Sequence, residues 1–188
     1  YMILLIHFLQ RLKPHPLLPV LQEMGDMKEI LVDGWDVYFC DKAPKLNWSQ
    51  CNLSVGELFM QFLEYYLNFD WDNQVVQIRQ TNVLTKHEKC WDKPMCIEDP
   101  FELERNLGYR INRPMFTFIM TAFEVSHLLV FSSLKEGCIF NRVSGEERDD
   151  VIGEHGNSLL TKCRNLAGYP PCFKCGRDGH TPERCLYR

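Results

Sequence analysis

SVGELFMQFLEYYL, residues 54–67, decides the fold class of this chain. Ser54 followed three residues later by Glu57 forms a capping box, in which hydroxyl and carboxylate each satisfy a backbone amide that the first helical turn leaves open. Leu58, Phe59, Phe62, Leu63, Tyr66 and Leu67 then recur at three- and four-residue spacing, which predicts an amphipathic helix. Downstream, RPMFTFIMTAFEVSHLLVF (113–131) places Pro114 in a first helical turn, with Met115, Phe118, Ala122, Val125 and Leu129 on one face. Between the two, Val75–Ile78 is a short strand candidate. Upstream, Ile30, Val32, Trp35, Val37 and Phe39 alternate around Asp33-Gly34, the pattern of a tight hairpin. YMILLIHFLQ (1–10) is apolar on nearly every side and suits a buried helix, which Pro14, Pro16 and Pro19 then interrupt. These readings make the body predominantly α, in an α+β arrangement.

The 188 residues, 45% hydrophobic and 12% aromatic, suffice for one real core and a small appendage. The longest apolar run, Tyr1–Leu9, is too short to span a bilayer, so a soluble chain with no membrane is expected. The chain opens with Tyr inside that run and no signal peptide is readable, so it reads as a fragment cut at Tyr1. Six of the nine cysteines (Cys40, Cys51, Cys90, Cys96, Cys138, Cys163) lie far apart without a disulfide framework, which fits a reducing compartment.

Charge is divided unevenly. Residues 162–188 hold six basic residues against Asp178 and Glu183, a charge of +4, and the other residues carry 15 basic against 23 acidic, or −8. Phosphate neutralisation by Lys and Arg drives nucleic-acid affinity, so a phosphate-binding role falls on the tail.

That tail contains CFKCGRDGHTPERC (172–185), with the spacing Cys-x2-Cys-x4-His-x4-Cys. Tetrahedral zinc takes four such ligands, and Gly176 and Gly179 permit the tight turns by which a short loop wraps an ion. Cys172, Cys175, His180 and Cys185 are therefore expected to hold one structural Zn2+, which folds a segment that has no core of its own. Phe173 is placed to stack on a base of single-stranded RNA, while Lys174, Arg177, Arg184 and Arg188 can meet phosphates. The bland alternative is a zinc-stabilised protein-contact module. Residues 132–170, with Glu146, Glu147, Asp149, Asp150 and a closing Gly168-Tyr169-Pro170-Pro171, read as a linker.

SVGELFMQFLEYYLNFDWDNQVVQIR together with IEDPFELERNLG (97–108) resembles the poly(A)-polymerase-associated domain of the non-canonical poly(A) polymerase family. LLPVLQEMGDMKEILVDGWDVYF (17–39) resembles the stretch preceding that domain in the zinc-knuckle (CCHC) terminal uridylyltransferases, which also carry a downstream knuckle. The resemblance implies the rear half of a nucleotidyltransferase-like module plus a small zinc knuckle. Its parts would be the end of the central helical region at 1–53, the poly(A)-polymerase-associated domain at 54–131, the linker at 132–170 and the knuckle at 171–188. It further implies a cytoplasmic role in 3′ uridylation of RNA, including microRNA precursors and mRNA, with single-stranded RNA and an RNA-chaperone protein as partners.

The family's catalytic Gly-Ser motif and metal-holding carboxylates would lie upstream, so no catalytic residue is assigned here, and Mg2+ or Mn2+ would serve only a complete module. The family reads its base with the loop matching IEDPFELERNLG, and active uridylyltransferases carry His just before Asn-Leu-Gly. Arg105 occupies that position, next to Asn106, and a guanidinium is a permanent donor fork where an imidazole can also accept. The substitution makes this copy resemble the non-catalytic amino-terminal module of the two-copy uridylyltransferases. The alternatives are the base-recognition half of an active UTP- or ATP-using enzyme, and a protein-interaction scaffold.

Several pairs invite bland readings. Asp70-Trp71-Asp72 reads as a solvated loop, and Glu98 and Asp99 as acceptors for amides of their own loop. His87 and Cys90, among Lys86, Glu88 and Lys89, read as an exposed polar loop, and His7 and His127 as core or boundary residues.

Overall fold

The structure, a computed structural model, describes residues 1–26, 28–42 and 52–135, and in the tail Cys172, Lys174, Cys175, Arg177, Arg184 and Cys185. Chain contacts divide it into two units, Tyr1–Asn52 with Phe69–Ile111, and Leu53–Asn68 with Asn112–Arg188.

The first unit opens with helix α1 (Met2–Arg11), followed after the prolines by a single 3-10 turn (Leu21–Glu23). The expectation of a helix buried on every side is corrected: Leu4, His7, Phe8 and Gln10 are buried, while Met2 and Leu5 face solvent. The buried stripe carries polar groups because α1 lies against extended backbone whose carbonyls need donors. His7 Nδ1 donates to the Gln77 carbonyl at 2.6 Å, Gln10 Nε2 to Pro19 and Ile78 at 3.0 and 3.1 Å, and Arg11 to Gln80 at 2.7 Å. Gln77, itself fully buried, donates to Gln80 and Asn82 and accepts from the amides of Arg79 and Gln80, so one side chain builds the turn that α1 rests on.

Burial lowers the His7 pKa from 6.5 to about 4, outweighing the hydrogen bond to Gln77. The unfolded chain therefore binds the extra proton, so this contribution to stability is complete above the unfolded value and is lost as pH falls toward 4. Linkage gives a loss of roughly 2 kcal/mol between about pH 7.5 and pH 5. Denaturant unfolding at the two pH values should show that drop in the wild type and a much flatter response in His7→Gln; equal slopes would refute the assignment.

The hairpin forms as expected, with β1 (Leu31–Val32) antiparallel to β2 (Trp35–Asp36). Asp33 and Gly34 both take positive φ, as a two-residue hairpin loop requires. Arg79 fastens it from a distance, donating to the Asp36 carbonyl at 2.8 Å and the Asp36 carboxylate at 2.6 Å, and to the Pro100 carbonyl at 2.9 Å. Amides of Tyr38 and Ile30, with that guanidinium, hold the Asp36 carboxyl below its ordinary pKa.

The strand expected at Val75–Ile78 is shorter. β3 (Gln74–Val75) pairs with β4 (Leu84–Thr85), Val76 makes one parallel bridge to Ile97, and Gln77 leaves the ladder to form its turn. Helix α3 (Lys86–Lys89) follows, opened by a Thr85–Glu88 capping box. His87, Glu88 and Cys90 are exposed as expected, but the stretch is helical rather than a loop, and Lys86 is buried, its Nζ donating to the carbonyls of Lys93 and Pro94. Val75, Leu84 and Cys96 form a small core against which Trp91 packs.

In the second unit, α2 (Val55–Leu67) starts at the expected capping box, with both the Ser54 and the Glu57 bonds formed. It packs on α4 (Arg113–Lys135). Phe62 and Phe123 meet at 6.0 Å between ring centroids, and Leu63 and Tyr66 are buried beside them. The face expected for α4 is only half-buried; its deepest residues are Phe123 and Val130, seven apart. The helix runs through Lys135, so the first residues assigned to the linker are helical, and the rest of the linker lies outside the described residues. Arg113–Phe131 is also long and apolar enough, at mean hydropathy 1.5, to cross a membrane on those two criteria. The middle of that segment carries Glu124 and His127, and its apolar side packs on α2.

Candidate functional site

Residues 97–108 fold into a clamped loop. Val76 donates to the Cys96 carbonyl at 3.0 Å and accepts from Glu98 at 2.9 Å, while the Leu107 amide donates to Ile97 at 2.8 Å. Asn106 is the bracket: its Oδ1 accepts from the amides of Ile97 and Gly108 at 3.0 and 2.8 Å, and its Nδ2 donates to Cys96 Sγ at 3.5 Å. Gly108 is required by close packing, because a Cβ there would sit 2.1 Å from the Met95 carbonyl oxygen. Asp99 meets its expectation by accepting from Phe101 and Glu102 at 2.9 and 3.2 Å.

Glu98 corrects the corresponding one. It is buried and bonds Lys89 Nζ at 2.8 Å, and the same ammonium reaches the Leu103 carbonyl at 2.9 Å and Glu104 at 3.6 Å. A carboxylate taken out of water must be paired or hydrogen-bonded, and here the partner is the Lys89 ammonium. Arg105, whose side-chain partner among the described residues is Glu102 at 3.4 Å, leaves most of its side chain in solvent. The loop thus has an inward side chain that shapes it, Asn106, and an outward one available for contact, Arg105.

Asp70 and Asp72 are exposed, and Asp70 accepts from both the amide and the side chain of Asn73. Cys90 Sγ donates to the His87 carbonyl at 3.7 Å rather than to its ring, which is the geometry of a helix end and not of an activated thiol.

In the tail, Cys172, Cys175 and Cys185 bring their sulfurs within 4.8 Å of one another. Three thiolates about 2.3 Å from one tetrahedral zinc would stand roughly 3.8 Å apart, so the three sulfurs are grouped on the scale of such a site. The Cys172 amide donates to the Arg177 carbonyl at 2.9 Å, closing a turn around the first two cysteines. Burial works against the Cys172 thiolate, yet hydrogen bonds from the Cys175 and Lys174 amides and the neighbouring thiols bring its pKa down to about 7. Lys174, Arg177 and Arg184 are exposed around the cluster. His180, Phe173 and Arg188 lie outside the described residues.

Sequence reasoning missed the Lys89–Glu98 pair, the Arg79 tether and the Gln77 turn. The partners lie nine, 43 and up to five residues away, and no helical or strand period links them.

Residues 54–105 match the family described as Cid1 family poly A polymerase. Over its whole length the chain is similar to terminal uridylyltransferase 4 of Homo sapiens, at 36% identity over 198 residues, and to terminal uridylyltransferase 7 of Homo sapiens, at 37% over 201. It spans 11% and 13% of those proteins. It is 34% identical to the poly(A) RNA polymerase GLD2 of Danio rerio over 134 residues, 68% of this chain and 27% of that protein. Among solved structures, Cid1 in complex with the UTP analogue UMPNPP superposes with a TM-score of 0.66 at 28% identity, covering 85% of this chain and 46% of that one. A cytoplasmic RNA terminal U-transferase superposes with a TM-score of 0.64 at 32% identity, covering 69% of this chain and 41% of that one.

Proposed function

Because this chain belongs to the Cid1-type family of non-canonical poly(A) polymerases and terminal uridylyltransferases, we propose that it is the RNA- and partner-binding portion of a cytoplasmic RNA uridylyltransferase, and that this copy adds no nucleotides itself. The observation that carries the reading is that similarity to terminal uridylyltransferases extends over the whole chain, tail included.

In the tail, Cys172, Cys175, Cys185 and His180 would hold one zinc ion, which supplies the cohesion of the knuckle. Phe173 would stack on an unpaired base, with Lys174, Arg177, Arg184 and Arg188 on neighbouring phosphates. The clamped loop supports the non-catalytic part. Arg105 stands where the resemblance places histidine in active enzymes, and Asp70 is engaged by Asn73. Relatives have been solved with magnesium and nucleotide, as in Cid1 bound to Mg and 3′-dATP; in the complete module Mg2+ or Mn2+ would be held by carboxylates the resemblance places upstream. The acidic body, at −8, suits a protein partner such as an RNA chaperone better than RNA alone.

Titration of fluorescent oligouridine at two salt concentrations tests the tail. Phe173→Ala is expected to weaken binding about five- to hundredfold by loss of one stacked base. Arg177→Ala and Arg184→Ala should each lower the salt slope by about 0.7. Unchanged affinity in Phe173→Ala, together with loss of a protein contact, would favour the scaffold instead.

A further inference from the structure

From the way the β1–β2 hairpin is mounted, we infer that its outward face is a protein-docking site, and that its occupant is an apolar segment of a partner protein bearing lysine or arginine. The inference deepens the partner-binding part of the proposed function and rests on it, but it needs neither the knuckle nor RNA.

Residues directly opposite in an antiparallel pair share a face, and side chains alternate along each strand. Val32 lies opposite Trp35, and the Val37 amide donates to the Ile30 carbonyl at 2.8 Å. Ile30, Val32, Trp35 and Val37 therefore share one face, and Phe39 continues their alternation, while Asp36 and Tyr38 take the other. The polar face is the one turned inward. Arg79 bonds the carboxylate and the carbonyl of Asp36, and Tyr38 Oη donates to the Met24 carbonyl at 2.6 Å. The usual mounting of a half-buried hairpin, apolar side in and polar side out, is reversed. Ile30, Val32, Trp35 and Phe39 are 50%, 53%, 44% and 56% exposed, and Leu31 on the opposite face is exposed as well.

The reversal is locked in place. A slip of one residue would carry the apolar set inward, but the two positive-φ residues Asp33 and Gly34 fix a two-residue loop and with it the register. Arg79, which also donates to the Pro100 carbonyl at 2.9 Å, ties the polar face to a distant segment. An apolar face held in water by a polar tether marks a contact surface, and Trp35 within it is the kind of residue that anchors protein interfaces. Fixing the face in advance also lowers the ordering cost of binding.

The charges around the hairpin select the occupant. From Asp26 to Lys42 the exposed charged residues are Asp26, Glu29, Asp33 and Asp41 against Lys28 and Lys42, in a body of net −8. An acidic rim repels phosphates, which sets RNA aside, and it disfavours a face-to-face contact between two copies. A partner segment with apolar side chains between lysines or arginines matches both the face and the rim.

The test uses the full zinc-loaded chain and short fluorescent peptides that alternate valine with lysine, valine with glutamate, or serine with lysine, read by anisotropy. The valine–lysine peptide is expected to bind at least about tenfold more tightly than either of the others, and Trp35→Ser to weaken it about tenfold or more. Because Trp35 also pairs with Val32 across the hairpin, Phe39→Ser, outside the strands, is read beside it and should show a loss in the same direction. Glu29→Lys combined with Asp33→Asn, which alters no packing, should shift the preference toward the glutamate peptide. Equal binding of the valine–lysine and serine–lysine peptides, or wild-type binding in both serine variants, would overturn the proposal. A dimer in sedimentation that Trp35→Ser dissolves would assign the face to a second copy, and a peptide that binds this chain but not the complete module would assign it to that module; either overturns the proposal. Peptide failure with oligouridine binding intact would remove the docking face and leave the RNA-binding reading standing. Peptide binding without oligouridine binding would do the reverse.

Discussion

One zinc ion per chain, lost together with the fold of residues 171–188 when Cys175 is changed to Ser, is the expected result for the tail. The segment of 18 residues holds mainly Phe173 and Leu186 as apolar bulk, far short of a core, so metal binding must supply its folding free energy. Structural zinc sites of this size provide about 10–16 kcal/mol at neutral pH, and a serine in place of one thiolate removes most of it. Native mass spectrometry should find a single zinc on the wild type and none on Cys172→Ser, Cys175→Ser or Cys185→Ser after brief chelation. Cobalt substitution should give the thiolate charge-transfer bands of a mixed sulfur–nitrogen site, and His180→Ala should alter them. Because protons compete for the same thiolates, affinity should fall as pH falls. A tail that stays folded and metal-free after reconstitution would refute the zinc assignment.

The body was legible in sequence wherever one local rule decided the structure. Ser54 and Glu57 formed their capping box because both partners lie within one turn, and Asp33-Gly34 turned the hairpin because those two residues tolerate positive φ. Legibility failed where the deciding contact came from far along the chain. α1 looks apolar all round, yet its polar His7 and Gln10 are buried, because the carbonyls of Gln77, Ile78 and Pro19 arrive from other segments to be satisfied. Lys86 and Lys89 read as solvated charges. The first is buried by carbonyls of Lys93 and Pro94, and the second by Glu98. In α4, apolar residues cover so much of the surface that helical spacing did not single out Phe123 and Val130 as the seam. The Cys-x2-Cys-x4-His-x4-Cys pattern was the clearest sign in the candidate sites, because ligand chemistry fixes the spacing, and the structure gathers its three sulfurs. The bracket role of Asn106 was hidden, since nothing in Asn-Leu-Gly says that the amide turns inward to Ile97 and Cys96.

We propose that this chain binds RNA without extending it. Phosphoryl transfer to a 3′ hydroxyl needs metal ions held by a carboxylate set that positions the triphosphate and stabilises its developing charge. Among the acidic residues singled out in the sequence, Asp70 accepts from Asn73, Glu98 pairs with Lys89, and Asp99 accepts from its own turn. The direct measurement is to incubate the zinc-loaded chain with end-labelled RNA, Mg2+ or Mn2+, and each of the four nucleoside triphosphates in turn. One half of each sample is run on a native gel and the other on a denaturing gel, beside an active terminal uridylyltransferase. A retarded complex on the native gel and RNA of unchanged length on the denaturing one are expected, with every nucleotide and either metal. Extension that copurifies with the chain through successive columns, or the absence of any retarded complex, would contradict the proposal.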